Sequence, residues 1–354
     1  MHTLKKAHSR KYHAVKDYIK GRIIAGQYKP GDRIESEDAL TKIMGLSRSS
    51  VREGLSELEF EGVIDIVHGK GTFIREKKTA AGTIAYVFSR VESEAYDNPY
   101  YGGVFAGVEE EAKRTGINIQ YRSYGRQEIL DASAVPHVFD LPSIFVSFFP
   151  RSFIERALAS QIPFATIDIL HEGLSFPSVV SDCFAMARDA VRYLISKGHR
   201  RIAHVAGNLL EYSGTERLAG YKAALQEHDI EFDERLVFEG AFTWESGYHA
   251  AKLMYPRLKE FSAVYFSGDT MALAAMQYFY KMGVRIPDDV SIIGNDDIAA
   301  SSQPLYSLTT MRIDTREMGC AAYGLLKERM NGGTAMPVVR IPGTLIERAT
   351  VKTL

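Results

Sequence analysis

The sequence has little cysteine and no long hydrophobic run. Its 354 residues include two cysteines, Cys183 and Cys320, which excludes a framework of several disulfides and a four-cysteine zinc site. The most apolar window, residues 132–150, is interrupted by His137 and Asp140, which excludes a membrane-spanning helix. The basic N-terminus lacks the apolar segment of a secretory signal. We therefore expect a cytoplasmic protein with no membrane partner.

The signatures of several enzyme classes are also missing. The sequence contains no Gly-x-Ser-x-Gly nucleophile turn, no phosphate-binding loop and no His-Glu-x-x-His zinc motif. The Gly69-x-Gly71 pair lacks the third glycine and the helix of a dinucleotide site, and His199 and His204 do not have the spacing of metal ligands on a helix. We therefore expect no catalytic residue, no metal and no cofactor, and we do not expect an enzyme.

Charge is divided unevenly along the chain, although the net charge is only −1. Residues 1–78 hold 16 Lys and Arg against 11 Asp and Glu, whereas the remainder holds 27 against 33. A basic head on an acidic body is typical of a protein whose head binds a polyanion. The alternative is ordinary variation, because small domains differ by several charges without functional cause.

The first part of the chain has the pattern of a helical domain that ends in a hairpin. Apolar residues recur at three- and four-residue steps over 11–24, which predicts a first helix. Ser36 and Gly45 can begin and end a short second helix that turns Leu40 and Ile43 inward.

A third helix, which Ser47 can cap, buries one face and exposes the other. Its inward face carries Val51, Leu55 and Leu58. The outer side of its first turn and a half carries Arg48, Ser49 and Arg52. Two β-prone arms, 63–67 and 72–74, then flank a Gly-rich tip at 68–71.

Two arginines four residues apart at a helix start suit the recognition of DNA. A helix end fits the major groove, where Arg pairs bidentately with guanine, while serines and backbone amides hold phosphates. A hairpin tip that contains Gly and Lys can approach the neighbouring minor groove. The alternative for Arg48 and Arg52 is a solvated basic face without a partner.

The order of these motifs resembles the winged helix-turn-helix of GntR-type regulators. The resemblance rests on Tyr28-x-Pro30-Gly31-Asp32-x-Ile34-x-Ser36-Glu37, Gly45-Leu46-Ser47-Arg48-x-Ser50-Val51-Arg52-Glu53 and Gly69-x-Gly71-Thr72-Phe73-Ile74. It implies that the recognition helix and the wing tip contact DNA through Ser47, Arg48, Ser49, Ser50, Arg52, His68, Gly69 and Lys70.

The head departs from the GntR pattern at the start of its second helix. Glu35 stands where the family usually has proline, and Asp38 stands where many members carry arginine or another non-acidic residue. An acidic side chain weakens contact with phosphate. The second helix is therefore not expected to contribute to DNA binding.

Beyond a predicted linker at 75–83, short apolar runs alternate with amphipathic helices through residues 84–354. Strands such as 84–88 and 263–266 are apolar throughout, which indicates parallel sheets covered by helices on both faces. The predicted fold class is α/β, with a doubly wound parallel-sheet body behind the small winged head at 1–74. The size of the body favours two lobes, whose strand ends can face each other across a ligand cleft.

The body resembles the effector domain of LacI/GalR-type repressors, which is similar to periplasmic sugar-binding proteins. The resemblance spans about residues 82–350 and rests on Pro99-Tyr100-Tyr101-Gly102-Gly103-Val104, Gly198-His199-Arg200-Arg201-Ile202-Ala203, Glu216-Arg217-Leu218-Ala219-Gly220-Tyr221, Gly268-Asp269-x-Met271-Ala272 and Ile286-Pro287-Asp288-Asp289-Val290. A GntR-type head on such a body resembles arabinose-responsive repressors, which implies a pentose effector.

The LacI/GalR resemblance also implies a set of effector contacts. The main candidates are Arg217, Trp244, Asp296 and Asp168, with Tyr100 and Tyr101 as aromatic walls and Asp269 as a further match. Gly268 replaces an asparagine that often binds ligand in the family. The polar contact of that asparagine is therefore missing, or it comes from Asn295, Ser89 or Arg90. Arginine and aspartate suit the vicinal hydroxyls of a sugar, and an aromatic ring suits its C–H face.

Each main candidate also has a structural interpretation. Arg217 can form an ion pair between the lobes, and Trp244 can belong to the core. Asp168 can cap a helix or lie at a hinge, and Asp296 can cap a loop.

Together these features predict a homodimeric repressor of sugar-utilisation genes that binds a double-stranded DNA operator. A small sugar, with a pentose such as arabinose as the first candidate, would alter operator affinity from the interlobe cleft. One alternative is the same scaffold sensing a non-sugar such as a purine. Another is a sugar-acting enzyme or carrier with an appended basic head.

Overall fold

The computed structural model describes residues 13–23, 27–29, 31–60, 63–67, 69–74, 82–90, 99–130 and 138–354. The chain divides into two compact units, Met1–Ala81 and Gly82–Leu354. His68 of the predicted wing tip and residues 75–81 of the predicted linker lie outside the described residues.

The first unit contains helices and an antiparallel hairpin. Its elements are α1 (13–23), α2 (Glu37–Met44), α3 (Arg48–Phe60), β1 (Ile64–Val67) and β2 (Gly71–Ile74). Helix α2 begins and ends as predicted, since Ser36 Oγ accepts a hydrogen bond from the Ala39 amide and Gly45 adopts a left-handed φ of 63°. The strands pair with Ile64 opposite Ile74.

The core of the first unit forms where the three helices meet. Val51, Leu55 and Leu58 of α3 are buried, which confirms their predicted inward face. The prediction for Ile43 was wrong, because its side chain is 54% exposed. Met44, four residues after Leu40, packs against the core in its place.

The second unit is an α/β structure with two six-stranded sheets. Its strands are β3 (Thr83–Arg90), β4 (Asn118–Gly125), β5 (Ser143–Val146), β6 (Phe164–Ile167), β7 (Ser178–Ser181), β8 (Ile202–Val205), β9 (Val237–Phe238), β10 (Ala263–Phe266), β11 (Ser291–Asp296), β12 (Thr309–Ile313), β13 (Val338–Ile341) and β14 (Gly343–Ile346). Its helices are α4 (Pro99–Thr115), α5 (Arg126–Leu130), α6 (Arg151–Ala159), α7 (Cys183–Ser196), α8 (Tyr212–Glu227), α9 (Trp244–Met254), α10 (Asp269–Lys281) and α11 (Thr315–Met330).

Each sheet is the centre of one lobe. In the first lobe the strand order is β13-β7-β6-β5-β3-β4, and every neighbouring pair is parallel. In the second lobe the order is β14-β12-β11-β10-β8-β9, and only β14 runs antiparallel to its neighbour. The inner strands β5, β6, β8 and β10 are buried at every residue, as their largely apolar sequences predict. The predicted doubly wound, two-lobed fold is therefore confirmed.

The chain passes between the two lobes three times. It crosses at Asp182 between β7 and α7, at Asp314 between β12 and α11, and at Pro342 between β13 and β14. Asp182 and Asp314 each cap the helix that follows, with distances from carboxylate to amide of 3.2 and 2.9 Å. A side-chain hydrogen bond from Arg340 of β13 to the Tyr212 hydroxyl of α8 also joins the lobes.

Sequence reasoning missed β12, β14 and the short helix α5. Strand β12 mixes threonine and arginine with apolar residues, and β14 follows β13 after a single proline, so neither produces an isolated apolar run. No helix among the described residues has the length and apolarity needed to cross a bilayer.

Candidate effector cleft and DNA-recognition surface

Polar residues gather where the parallel strands of both sheets end. Ser147 follows β5 and Asp168 follows β6 in the first lobe, while Ser267 follows β10 and Asp296 ends β11 in the second. Ser147, Asp168 and Asp296 adopt positive φ angles of 81°, 61° and 117°. Backbone strain of this kind in non-glycine residues concentrates at functional sites. The carboxyl edges of the strands are thus the candidate site.

Arg217 of α8 forms the polar centre of the second-lobe side. Its side chain is 4% exposed, and Nη2 lies 3.1 Å from Asp296 Oδ1. Nη1 donates to the carbonyl of Ser267, and Asn295 Nδ2 donates to the same Asp296 oxygen at 2.9 Å. Because Arg217 and Asp296 belong to one lobe, the interlobe ion pair considered for Arg217 is not the arrangement observed. The guanidinium is held with its orientation fixed from two sides.

Asp168 approaches this centre from the first lobe. Its Oδ2 atom accepts a hydrogen bond from the Tyr100 hydroxyl at 3.0 Å. Burial raises the pKa of Asp168 to about 6, whereas the Tyr100 hydrogen bond and the charge of Arg217 act in the opposite direction. The influence of Arg217 and Asp296 on this carboxyl places residues of both lobes around one cleft.

Several buried polar atoms around the cleft have no hydrogen-bond partner among the described residues. They are Ser89 Oγ, Asp168 Oδ1, Arg217 Nε and Ser267 Oγ. Buried polar groups in folded proteins are almost always satisfied, so each such atom needs an explanation. A ligand that carries several hydroxyl groups can both donate to the carboxylate and accept from the guanidinium.

An aromatic residue that sequence reasoning missed lies beside Arg217. The Phe242 ring is 5.5 Å from the Arg217 guanidinium carbon. The Phe242 ring fills the space that a side chain at position 207 would need, and that position is Gly207. A Cβ atom added to Gly268 would lie 3.4 Å from the edge of the same ring. Phe242 has a positive φ of 62°, a conformational signal that its sequence does not reveal.

Trp244, a predicted effector contact, is the first residue of α9. It is half-buried at the start of α9 and lines a surface groove of about 620 Å³. The other lining residues are Glu245, Tyr248, His249, Lys252 and Gln277. The described contacts of the Arg217 centre include Phe242 and not Trp244.

Two further predicted contacts are occupied by the protein itself. Asp269 is fully buried, and its carboxylate accepts hydrogen bonds from the Ile298 amide, Ser301 Oγ and Thr310 Oγ1 at 3.1, 2.7 and 2.6 Å. It therefore braces the loop after β11. Asn295 is also buried, and its side-chain amide donates to Asp296.

The remaining first-lobe candidates lie at the same strand edge. Ser89 and Arg90 end β3, and Ser89 is buried. Tyr101 packs on Phe88 and on Tyr100, with ring centroids 5.1 and 5.0 Å apart. Tyr100, Tyr101 and Phe88 therefore form one aromatic cluster, and its contact with an effector stays a prediction.

Glu211 is a second residue that sequence reasoning missed. It stands at the N-cap position of α8 but makes no side-chain capping bond, and Asn208 Nδ2 donates to its Oε1 at 2.9 Å. Burial raises the pKa of Glu211 to about 7, and the nearby Asp168 adds to the shift, whereas Arg126 and Arg217 oppose it. The charges that act on Glu211 thus come from the first lobe, through Asp168 and Arg126, and from Arg217 of the second.

The candidate DNA-recognition surface is the outer side of α3 together with the wing. Ser47, Arg48, Ser49, Arg52, Gly69 and Lys70 are exposed there. Ser47 caps α3 by accepting from the Ser50 amide at 3.3 Å. Ser50 is 1% exposed and its hydroxyl lies 3.0 Å from Ser47 Oγ, so the proposed DNA contacts exclude it.

Both arginines of this surface are paired with acidic residues of α2. Arg48 Nη2 lies 2.9 Å from Asp38 Oδ1. Arg52 meets Glu37 through two nitrogens, Nη2 at 3.0 Å and Nε at 3.4 Å. Helix α2 thus contacts the side chains of the recognition helix directly.

Comparison with known proteins identifies both parts of the chain. A model of bacterial regulatory proteins of the gntR family matches residues 11–74, and a model of a periplasmic binding protein-like domain matches residues 191–351. The HTH-type transcriptional regulator CelR of Thermobifida fusca is 30% identical over 264 residues, covering 72% of this chain and 77% of CelR. The chain belongs to the LacI family of transcriptional regulators.

Solved structures agree with this assignment. A CelR–cellobiose complex has a TM-score of 0.69 at 27% identity, over 86% of this chain and 90% of that chain. A sugar-binding regulator of the LacI family from Escherichia coli has a TM-score of 0.65 at 27% identity, over 77% and 99%. The resemblance to GntR-type and LacI/GalR-type regulators is confirmed. The likeness to arabinose-responsive repressors stays a prediction.

Proposed function

We propose that this LacI-family regulator is a sugar-responsive repressor. Residues 1–74 read the operator, 75–83 link the two parts, and 84–354 bind the effector and form the homodimer. The observation that carries the proposal is the set of buried, unpartnered polar atoms contributed by both lobes to one cleft. A polyhydroxyl ligand would satisfy them on closure.

The charges of the cleft favour a neutral sugar over a phosphorylated one. The cation of Arg217 is already matched by Asp296 at 3.1 Å. Asp168, which is mostly ionised at neutral pH with a pKa of about 6, adds a further carboxylate that repels an anion. The rings of Tyr101 and Phe242 offer flat faces for sugar C–H groups. A pentose such as arabinose is the first candidate.

Coupling between effector and operator requires two arrangements of the lobes that differ in ligand affinity. If the dimer presents its two heads at the operator half-site spacing in only one arrangement, the effector selects for or against DNA binding. A 100-fold change in operator affinity corresponds to a coupling free energy of about 2.7 kcal/mol, within the usual range.

The direct test is titration calorimetry of the full chain against single compounds. The panel contains arabinose, xylose, glucose, cellobiose, glucose 6-phosphate and adenine, and recovery of the unchanged compound separates binding from turnover. We expect saturable binding of a neutral sugar and a changed affinity for operator DNA in its presence. Binding of adenine or the sugar phosphate alone would refute the sugar proposal, and conversion of the compound would indicate an enzyme.

A further inference from the structure

Asp297 follows the candidate effector contact Asp296 and holds two arginines of the second lobe. Its side chain is 7% exposed, and each carboxylate oxygen meets a different guanidinium. Oδ2 accepts from Arg312 Nε at 2.7 Å, and Oδ1 accepts from Arg348 Nη2 at 2.6 Å. Arg312 belongs to β12, whereas Arg348 follows β14. One carboxylate therefore ties the end of β11 to segments of two other strands.

Arg348 also closes the loop that begins at Asp297. Its Nη1 atom donates to the Leu308 carbonyl at 2.7 Å, and its backbone amide donates to Thr309 Oγ1 at 3.0 Å. The guanidinium thus contacts both the first and the last residue of the loop 297–308. Because the side chain of Arg348 is only 15% exposed, salt and solvent screen the ion pair weakly. The position of Asp297 is therefore fixed from outside its own strand.

The backbone at this point is strained. Asp296 and Asp297 have positive φ angles of 117° and 53°, a region that residues other than glycine rarely adopt. Such residues persist only where surrounding contacts hold them, since the strain disfavours the conformation by about five- to 150-fold. The Asp296 carboxylate that this backbone carries pairs with Arg217 at 3.1 Å. Release of the strain would let Asp296 leave the position in which it meets Arg217.

We infer that Asp297 is a positioning residue for effector binding, because its two ion pairs hold the strained backbone that presents Asp296 to the cleft. Both of its oxygens already meet arginines, so it acts through Asp296 and not on the effector directly. Without the carboxylate, the chain populates a relaxed conformation, and apparent effector affinity falls with the fraction that stays competent to bind. The inference rests on the proposed sugar-binding function of the cleft.

The test compares Asp297→Ala with Asp297→Gly by titration calorimetry of the full chain. The probe is whichever of arabinose, xylose, glucose and cellobiose binds the parent most tightly. Both variants lose the carboxylate, but glycine adopts a positive φ without strain, whereas alanine does not. We expect Asp297→Ala to bind the probe about tenfold more weakly than the parent, and Asp297→Gly to stay within about threefold of the parent.

A matched control separates positioning from the loss of one ion pair. Asp289 lies two residues before the other end of β11, and its carboxylate meets Arg285 at 2.7 Å. Asp289→Ala should leave affinity for the probe within about twofold of the parent. Denaturant unfolding of each variant gives the folded fraction on which affinity is calculated.

If Asp297→Ala does not fold, Arg312→Gln takes its place. It removes one of the two partners of Asp297 at a side chain that is 54% exposed, so the body should tolerate it. Binding of the probe should then be about threefold weaker than in the parent. Unchanged affinity in Arg312→Gln would contradict the positioning role.

The outcomes distinguish this inference from the function on which it rests. A tenfold loss in Asp297→Ala that glycine restores, without a loss in Asp289→Ala, supports it. Equal losses in the alanine and glycine variants, or unchanged affinity in both, would overturn it while leaving the proposed effector site intact. A parent protein that binds none of the four sugars would overturn the proposed function and the positioning role with it.

Discussion

Arg217 and Asp296 form a buried ion pair 3.1 Å long in the second lobe. The pair joins α8 to the end of β11, and the carbonyl of Ser267 extends it to β10. One guanidinium therefore fixes the relative positions of three elements while its Nε atom stays without a partner among the described residues. We therefore expect stability and effector binding to be coupled at this residue.

Arg217→Ala should destabilise the body and abolish the response to effector. Removal of one member of a buried ion pair leaves the other charge uncompensated, which costs about 3–5 kcal/mol. Arg217→Lys keeps the cation but loses the planar fork, so its stability loss should be smaller although its effector response is still weakened. Thermal unfolding and effector titration measure the two effects, and an unchanged dose response in both variants would contradict the cleft assignment.

Glu211 should make the stability of the body depend on pH. Burial raises the pKa of its carboxyl from the ordinary value of 4.5 to about 7, so the folded state binds more protons between these values. The free energy of unfolding should therefore fall as pH rises from 4.5 to 7. Asp168 adds to the same trend, since its pKa rises from 3.8 to about 6.

Glu211→Gln isolates the contribution of this residue. Near pH 4 the Glu211 carboxyl is largely protonated in both the folded and the unfolded state, so the melting temperatures of the variant and the parent should match there. At pH 8 the melting temperature of the variant should be higher than that of the parent. Glu231→Gln, at an exposed loop position, serves as the control and should leave the pH profile unchanged. A Glu211→Gln profile that parallels the parent at every pH would contradict the prediction.

Asp269→Ala should reduce stability without a specific effect on effector binding. The substitution removes the acceptor for three buried donors, those of Ile298, Ser301 and Thr310, and unsatisfied buried groups cost about 1–3 kcal/mol each. Effector affinity of the folded fraction should stay within about twofold of the parent. Denaturant unfolding and calorimetry on the same preparation measure both quantities. Loss of effector binding at full stability would restore Asp269 as a contact.

Phe242→Ala and Trp244→Ala decide which aromatic ring meets the effector. Phe242 is 5.5 Å from the Arg217 guanidinium, whereas Trp244 lines the groove between α9 and α10. Loss of a ring contact to a sugar should weaken affinity by about tenfold for Phe242→Ala, with a smaller effect for Trp244→Ala. Titration calorimetry ranks the two variants. The reverse ranking would support the family-based assignment of Trp244.

The fold and the family could be predicted from the sequence because their signals are local. Ser36, Gly45 and Ser47 mark helix ends through short-range hydrogen bonds, and buried parallel strands produce continuous apolar runs. The site was harder, since it depends on contacts between distant residues. Asp269 matches the family pattern but is saturated by loop donors, and Phe242 reaches the centre through a positive φ that no motif encodes.

Ion pairs across the head were equally hidden from sequence reasoning. The sequence predicts that the acidic residue at position 38 weakens phosphate contact, whereas its pairing with Arg48 depends on how α2 packs against α3. The spacing between Glu37 and Arg52 along the chain gives no indication of their bidentate contact. Helical periodicity predicts which face is buried and leaves the partners on the exposed face undetermined.

Arg52→Ala should reduce operator affinity and leave effector affinity unchanged. The side chain is 70% exposed on α3, and Glu37 accepts from its Nε and Nη2, which leaves Nη1 for a base contact. Loss of such a contact costs about 1–3 kcal/mol, or about five- to 150-fold in affinity, and relaxes base preference at one position. Arg192→Ala removes the same charge from an exposed site on α7 and should leave operator binding within about twofold. Fluorescence anisotropy measures the affinity for operator DNA, and calorimetry measures the affinity for effector. Equal operator binding by Arg52→Ala and the parent would remove Arg52 from the recognition surface.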